Sequence, residues 1–261
     1  MSENKKIAIL GAGHIGKAIF RGLLKSGVRR KDIYLSNKSG KNGKAVKNSE
    51  IIFICVKPKV VKEVFGEIKS YLTENKIIIS VAACASLNLL EKYAGTEKYK
   101  MVRIMPNIPV AYNLGVIGIL FNTVVNDEEK KNIRKTLSKL GILVDCRDDE
   151  QLDRLSMVSG CGTGYVGYFM DNLENVAKTY GFNRKKRKQI VLATFEGAIR
   201  HLMETNISFS QLVEEVATPG GITEEVINHL KKKKFFENLK SGVDRGYDKV
   251  QKIAKILEGG E

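Results

Sequence analysis

The chain has 261 residues, of which 43% are hydrophobic and 28% are charged. This composition is typical of globular proteins and excludes a collagen-like, low-complexity or disordered chain. No uncharged apolar run is long enough to cross a bilayer, and the first ten residues pass from polar residues into a short β-like run. We therefore expect neither a membrane span nor a signal peptide, and the length suits two domains of ordinary size.

The charge balance is strongly basic, with 44 Lys and Arg against 29 Asp and Glu, a net charge of +15. This excess favours anionic partners without choosing among them. The basic clusters at residues 184–188 and 231–234 have no interleaved aromatic residues and match no nucleic-acid module. We interpret them as solvated helix faces and expect no nucleic-acid partner, with charge-driven binding of nucleic acid as an alternative.

The cysteines are widely spaced, form no CxxC pair and are accompanied by only three histidines. They are Cys55, Cys84, Cys146 and Cys161. This pattern predicts neither a disulfide framework nor a metal site. We expect reduced, mostly buried cysteines in a cytoplasmic protein.

Residues 1–150 alternate short runs rich in Ile and Val with helical segments, the pattern of a parallel sheet with crossover helices. The predicted strands are residues 6–10, 33–36, 51–56, 76–81, 100–104, 116–121 and 142–145. The predicted helices between them are residues 15–25, 60–71, 87–93 and 127–140. The first domain is therefore predicted to be a Rossmann-type α/β domain.

Residues 151–261 lose the β pattern, and their apolar residues recur at helical spacing. One such stripe contains Val191, Phe195, Ile199 and Leu202. The segment predicts an all-helical domain, and a domain this small buries little of its apolar surface by itself. We expect it to share its core with a second copy of the chain in a homodimer, with assembly beyond the dimer left open.

A glycine motif follows the first predicted strand and opens the first predicted helix. It reads Gly11-Ala12-Gly13-His14-Ile15-Gly16. Gly11 permits a tight turn, Gly13 lets the backbone approach a pyrophosphate, and Gly16 allows close packing of helix on strand. In this context the motif predicts a dinucleotide site, with a glycine-rich turn that binds no ligand as the alternative.

The end of the second predicted strand distinguishes between dinucleotides, because NAD sites usually have Asp or Glu there. This chain has Asn37, Lys38 and Ser39 instead, which offer a cation and hydrogen-bond donors to a 2′-phosphate. The segment favours NADPH as the cofactor, with NADH as a second possibility. The alternative is that Lys38 is one of many solvated lysines.

Three further segments occur in a characteristic order: Val56-Lys57-Pro58, Met105-Pro106-Asn107, and residues 217–224, which read Ala-Thr-Pro-Gly-Gly-Ile-Thr-Glu. With the glycine motif they resemble the pyrroline-5-carboxylate reductase family along nearly the whole chain. The resemblance implies NADPH-dependent reduction of the C=N bond of 1-pyrroline-5-carboxylate to proline, the last step of proline biosynthesis. It also implies a Rossmann domain at residues 1–150 and a helical substrate and dimerisation domain at residues 151–261.

The resemblance also implies site residues. The cofactor residues are Gly11, Gly13, His14, Ile15, Gly16, Asn37, Lys38, Ser39, Val56, Lys57, Pro58, Ala82 and Asn107. The substrate residues are Asn107, Thr218, Gly220, Gly221, Ile222 and Thr223. Thr223 is the expected catalytic residue, orienting the imine nitrogen beside a helix N-terminus that suits the substrate carboxylate. The alternative is that Thr223 only caps the helix.

Some residues depart from the family pattern. Where the family has Ser-Gly-Ser-Gly-Pro-Ala-Tyr, residues 159–165 read Ser-Gly-Cys-Gly-Thr-Gly-Tyr. Cys84 replaces a usual Gly, and Ile108 replaces a usual Thr. These changes leave two alternatives open: reduction of another cyclic imino acid, and a nucleotide-binding regulatory paralogue without turnover.

The segment after the second predicted strand is also short, because only the 13 residues 38–50 separate that strand region from Ile51, where the third predicted strand begins. The family usually has a helix, a strand and a helix there. We predict that the third strand is missing, that residues 33–36 form an open sheet edge, and that one short helix lies around residues 43–48. Loss of part of the adenine-side wall predicts weaker cofactor affinity.

Overall fold

The computed structural model describes residues 5–37 and 41–259. The strands are β1 (Ile7–Leu10), β2 (Ile33–Ser36), β3 (Ile51–Ile54), β4 (Ile77–Ser80), β5 (Lys100–Pro106), β6 (Gly115–Phe121) and β7 (Gly141–Asp145). The helices are α1 (His14–Lys25), α2 (Asn42–Lys47), α3 (Val61–Ile68), α4 (Leu87–Ala94), α5 (Asp127–Leu137), α6 (Asp149–Val158), α7 (Gly162–Thr179), α8 (Arg184–Thr205), α9 (Phe209–Val216), α10 (Ile222–Lys232) and α11 (Phe235–Glu258). The predicted helices at 60–71 and 127–140 end earlier, because their last turns are 3-10 helices.

The strands form one sheet in the order β2-β1-β3-β4-β5-β6-β7. All neighbouring pairs are parallel except β5 and β6, which are antiparallel. This pair departs from the predicted parallel pattern. The connection between the two strands, residues 107–114, is a short 3-10 segment, whereas a parallel crossover needs about a dozen residues or more. The α/β fold class is confirmed.

The edge of the sheet agrees with the prediction made from the short segment between the second and third predicted strands. Strand β2 is the terminal strand, and it pairs only with β1 among the described residues. The described part of the short connection to β3 contains the six-residue helix α2, in agreement with the short helix expected there. The hydrogen-bond ladder between β1 and β3 is complete without any strand beyond β2.

The core of the first half lies on both faces of the sheet. Alternate residues of β1 point to opposite faces, as strand geometry requires. Ile7 and Ile9 belong to the cluster that includes residues of α1 and α5, whereas Ala8 and Leu10 belong to the cluster that includes residues of α2, α3 and α4. Burial on both faces explains why these strands read as continuous apolar runs.

Two compact units divide the chain: residues 1–163 together with 246–261, and residues 164–245. The first unit contains the sheet. The second contains α7 from Gly164 onward, helices α8–α10 and α11 up to Arg245. The prediction of a helical second half is confirmed. The functional domain boundary at residue 150 stays a prediction. None of the described helices is long and apolar enough to cross a membrane.

The second unit leaves large apolar side chains exposed in the single chain. Met203, Phe209 and Ile222 are 78%, 81% and 88% exposed, and several other apolar residues of α7–α10 are also exposed. Exposed apolar surface of this kind is characteristic of a protein–protein interface. This feature agrees with the expectation of a homodimer.

Candidate active site

Strands β1–β4 are parallel and end level with one another, because the last residue of each strand pairs with the last residue of its neighbour. The segments that follow them contain Gly11, Asn37, Val56 and Ala82. In open α/β sheets, ligands bind beyond the carboxyl ends of the strands. The register therefore brings the predicted cofactor segments together at the carboxyl ends of the strands.

The glycine turn after β1 has the conformations that the sequence motif requires. Gly11 has φ +106°, and a Cβ there would lie 2.5 Å from the carbonyl oxygen of Cys55. A Cβ at Gly16 would collide with the carbonyl oxygen of Gly11. Gly13 is exposed, with open space where a Cβ would point. Two glycines thus permit the tight packing, and the third leaves room for a ligand to approach the backbone.

Helix α1 begins immediately after this turn. Gly13 is its N-cap and supplies no side-chain hydrogen bond, while His14 and Ile15 are the first helical residues. The first N–H groups of a helix have no intrahelical partner, and the helix dipole makes this end electropositive. The arrangement can therefore receive a pyrophosphate. Lys38 and Ser39, predicted to contact the cofactor, lie outside the described residues.

A pocket of about 150 Å³ lies beside the glycine turn and the end of β2. Its lining residues are Gly11, Ser36, Asn37, Asn42, Val56, Val60, Glu63, Val64 and Glu67. Asn42, Glu63 and Glu67 were not predicted from the sequence. The i, i+4 spacing of the two glutamates in a predicted helix was the available signal, whereas nothing marked Asn42 among the other residues of the shortened segment.

The other predicted cofactor residues lie along the same edge. Val56 lines the pocket, Lys57 is exposed, and Pro58 begins a short 3-10 helix. Ala82 is buried, and its N–H donates to the Ser80 hydroxyl at 3.2 Å. These positions are consistent with a role in shaping the site, while the cofactor contacts themselves stay a prediction.

Asn107 uses both ends of its side-chain amide within the protein. Its Oδ1 accepts from the N–H of Val116 at 2.9 Å, and its Nδ2 donates to the carbonyl oxygen of Ser159 at 3.2 Å. Asn107 is buried. It therefore ties the beginning of β6 to the segment before α7, a structural role that the sequence did not indicate. Its predicted contacts with cofactor and substrate stay predictions.

Cys55, Cys84 and Cys146 are buried, which agrees with the prediction of mostly buried cysteines, whereas Cys161 is exposed; all four are free. Burial raises the pKa of the Cys55 thiol, so that it stays protonated beneath the glycine turn. Burial and the charge of Asp153 raise the pKa of Cys84. Cys84 also has φ +63°, which explains why glycine suits this position.

The loop before α10 carries the predicted substrate residues. Gly220 has φ +73°, and the N–H of Gly221 donates to the carbonyl oxygen of Thr218 at 2.8 Å. The Glu224 carboxylate accepts from the N–H of Gly220 at 2.7 Å. These bonds close the loop at the N-terminus of the helix. The Glu224 contact was not predicted and occupies one of the loop's donors.

Thr223 does not occupy the capping position of α10. Gly221 is the N-cap and provides no side-chain hydrogen bond, while Ile222 and Thr223 are the first two helical residues. The capping alternative for Thr223 therefore does not describe this helix. The first turn keeps backbone N–H groups that can donate hydrogen bonds to a small carboxylate, and the Thr223 hydroxyl lies on the same turn.

Comparison with known proteins assigns the chain. A family model described as pyrroline-5-carboxylate reductase dimerisation matches residues 149–253, and one described as NADP oxidoreductase coenzyme F420-dependent matches residues 6–84. The pyrroline-5-carboxylate reductase of Aquifex aeolicus is 33% identical over 207 residues, which are 79% of this chain and 76% of that protein. The chain belongs to the pyrroline-5-carboxylate reductase family. The predicted resemblance is confirmed.

Two further pyrroline carboxylate reductases extend the similarity to nearly the whole chain. The Arabidopsis thaliana pyrroline-5-carboxylate reductase is 28% identical and covers 93% of each chain. The crystal structure of Plasmodium falciparum pyrroline carboxylate reductase with NADP bound has a TM-score of 0.89, 26% identity, and coverage of 97% of this chain and 99% of that one. Helices α7–α10, whose apolar side chains are exposed in the single chain, lie within the dimerisation match.

Proposed function

We propose that this protein uses NADPH to reduce the C=N bond of 1-pyrroline-5-carboxylate, producing proline in the last step of proline biosynthesis. The observation that carries the proposal is membership of the pyrroline-5-carboxylate reductase family, with similarity to an NADP-bound member along nearly the whole chain. The enzyme is an oxidoreductase that acts on a carbon–nitrogen bond.

The chain's own residues fit the cofactor. The uncapped N-terminus of α1 and the open space at Gly13 support binding of the pyrophosphate. Asn37 lines the pocket at the end of β2, and the sequence adds Lys38 and Ser39 as donors to a 2′-phosphate. Bound NADPH supplies the hydride, so the protein needs no nucleophile of its own.

The loop before α10 binds the substrate in this proposal. Its uncapped first turn supports binding of the imino-acid carboxylate, and the Thr223 hydroxyl is assigned to the imine nitrogen. These groups bind and orient the substrate, which is the main task in a reaction whose difficult step belongs to the cofactor. The proton that the ring nitrogen gains comes from solvent.

A direct assay tests the reaction. The purified chain is mixed with NADPH and 1-pyrroline-5-carboxylate, the loss of NADPH absorbance is followed, and proline is identified by mass spectrometry. We expect NADPH loss and proline formation in equal amounts. NADPH binding without any turnover would support the regulatory alternative instead.

A second candidate function is reduction of another cyclic imino acid, supported by the altered residues 159–165. A six-membered cyclic imino acid in the same assay distinguishes the two. We expect a higher kcat/KM for the five-membered ring. A reversal of this order would assign the chain to the larger substrate.

We also propose that the protein is a cytoplasmic homodimer whose dimers can associate further. The dimerisation match and the exposed apolar residues of α7–α10 support the dimer. The free cysteines are consistent with a reducing compartment. Light scattering on the purified protein measures the assembly, and fractionation of the source cells tests the compartment.

A further inference from the structure

A carboxylate of the chain itself already occupies the loop before α10. The Glu224 side chain, in the first turn of this helix, accepts from the N–H of Gly220 at 2.7 Å. Gly220 is also one of the residues assigned to the substrate carboxylate. A backbone amide has one proton to donate, so Glu224 and the substrate cannot both hold this donor fully.

The neighbouring donor in the loop is fixed within the turn. The N–H of Gly221 donates to the carbonyl oxygen of Thr218 at 2.8 Å, and a Cβ at Gly221 would collide with Thr218. The first three N–H groups of α10, those of residues 222–224, have no acceptor within the helix. The N–H of Gly220 is thus a loop donor whose acceptor is a side chain, and a side chain can rotate away.

The Glu224 contact differs from an ordinary helix cap. In a capping box, a glutamate at the third helical position accepts from the N–H of the N-cap residue, as Glu129 does for Asn126 in α5. Glu224 is the third residue of α10, and Gly221 is its N-cap. The N–H of Gly221 already donates to Thr218, and Glu224 bonds one residue earlier. The bond therefore closes the loop rather than capping the helix.

The surroundings of this bond allow it to open. Glu224 is partly exposed, and open space lies where a Cβ at Gly220 would point. A second carboxylate brought to the start of α10 would meet the negative charge of Glu224, and like charges at such short range repel each other. A substrate carboxylate can therefore use this turn well only after Glu224 has left it.

We infer that Glu224 is an internal competitor for the substrate carboxylate: it closes the loop on Gly220 when the site is empty and is displaced when the imino acid binds. The inference rests on the proposed function, because it takes this loop as the carboxylate site. It makes Glu224 a specificity-determining residue whose effect is confined to substrates that carry a carboxylate. A loop that is closed part of the time lowers the apparent affinity by the fraction that is open.

Steady-state kinetics with two substrates test the inference. At saturating NADPH, Glu224→Ala should lower KM for 1-pyrroline-5-carboxylate by about 3- to 10-fold with kcat unchanged, because no internal bond has to break before the substrate binds. The KM for 1-pyrroline, which has the same ring without the carboxylate, should stay unchanged. Glu224→Gln, which removes the charge and keeps an acceptor, should lower KM for the carboxylate substrate by a smaller factor.

Glu225 provides the matched control. It is exposed and lies in the same first turn of α10. Glu225→Ala removes an equal charge from this turn and leaves the bond between Glu224 and Gly220 in place. It should change neither KM by more than about twofold, because an exposed charge is strongly screened.

A binding measurement gives a readout that does not depend on turnover. Calorimetry on the full chain with NADP+ measures the Kd of L-proline and of pyrrolidine, the same ring without the carboxylate. Glu224→Ala should lower the Kd of L-proline by the same factor as KM and leave that of pyrrolidine unchanged. If Glu224→Ala does not fold, Glu224→Gln carries the test, because it has the same size and keeps the acceptor.

Several results would overturn the inference. An unchanged KM for 1-pyrroline-5-carboxylate in folded Glu224→Ala would show that nothing competes, and a raised KM would show that Glu224 supports the loop. An equal fall for both substrates, or an equal effect of Glu225→Ala, would indicate a general effect of charge. A wild-type chain that reduces neither imine and binds no L-proline would instead refute the proposed function, so the two failures are distinguishable.

Discussion

Arg103 and Asp153 form an ion pair in the interior of the first unit, with Arg103 Nη2 donating to Asp153 Oδ1 at 2.5 Å. The Arg103 side chain is fully buried, and its Nη1 also donates to Asp149 at 2.7 Å. Asp149 in turn accepts from the N–H of Leu87 at 3.2 Å. One guanidinium thus connects β5, the beginning of α4 and helix α6.

Removing Arg103 should strongly destabilise the protein. Arg103→Met would leave two carboxylates without their buried partner, and breaking a buried pair in this way costs about 3–5 kcal/mol of unfolding free energy. Urea denaturation measures the loss. Arg200→Met is the control, because the Arg200–Glu196 pair is exposed and should contribute less than about 1 kcal/mol. Equal small losses in both variants would contradict the structural role of Arg103.

The pH dependence of stability should reflect Asp153. Its pKa is raised from 3.8 because burial outweighs the attraction of Arg103, and the charge of Asp149 adds to the rise. The folded protein therefore binds this proton more tightly than the unfolded chain does. The stabilisation is fully present below about pH 4 and is lost as pH rises through the folded-state pKa.

Comparison with Asp153→Asn isolates this effect. The unfolding free energy of the wild-type protein minus that of Asp153→Asn should fall as pH rises from about 4, in denaturation curves measured at closely spaced pH values. A difference that increases over this range would mean that Arg103 lowers the pKa of Asp153 below its ordinary value.

Glycine should be more stable than alanine at position 84. The φ of Cys84, +63°, lies in the left-handed region, which costs a residue with a side chain about 1–2 kcal/mol. Cys84→Gly should therefore be about 1 kcal/mol more stable than Cys84→Ala, because both variants lose the buried thiol and only glycine removes the strain. Thermal and urea unfolding measure the difference. A more stable alanine variant would show that this turn does not strain its residue.

Local features of the fold could be predicted from the sequence, because neighbouring residues determine them. The turn at Gly11 needs a positive φ between a strand and a helix, and the 13-residue spacing before Ile51, compared with the family pattern, predicted β2 as the edge. The partners of Asn42 and Arg103 could not be predicted in this way. Glu67 lies 25 residues from Asn42, and Asp153 lies 50 residues from Arg103. Only tertiary packing selects such pairs.

Cofactor choice should depend on Lys38. Lys38→Glu should raise KM for NADPH more than KM for NADH, because a carboxylate would face the 2′-phosphate. Steady-state kinetics with each cofactor measure both values, and Lys38→Gln shows the effect of losing the charge without reversing it. Equal increases for the two cofactors would refute the assignment of Lys38 to the 2′-phosphate.

Thr223 should affect the chemical step without affecting the cofactor. Thr223→Ala removes the hydroxyl and leaves the N-cap at Gly221 in place, and loss of a hydrogen bond to the imine nitrogen should cost about 1–3 kcal/mol of transition-state stabilisation. The value of kcat/KM for the imine should fall accordingly, while the Kd for NADPH stays unchanged. Thr223→Ser is the matched control, since it keeps the hydroxyl and should retain most of the activity. If the serine and alanine variants lose equal activity, the methyl group rather than the hydroxyl matters, and Thr223 acts by packing within the first turn of α10.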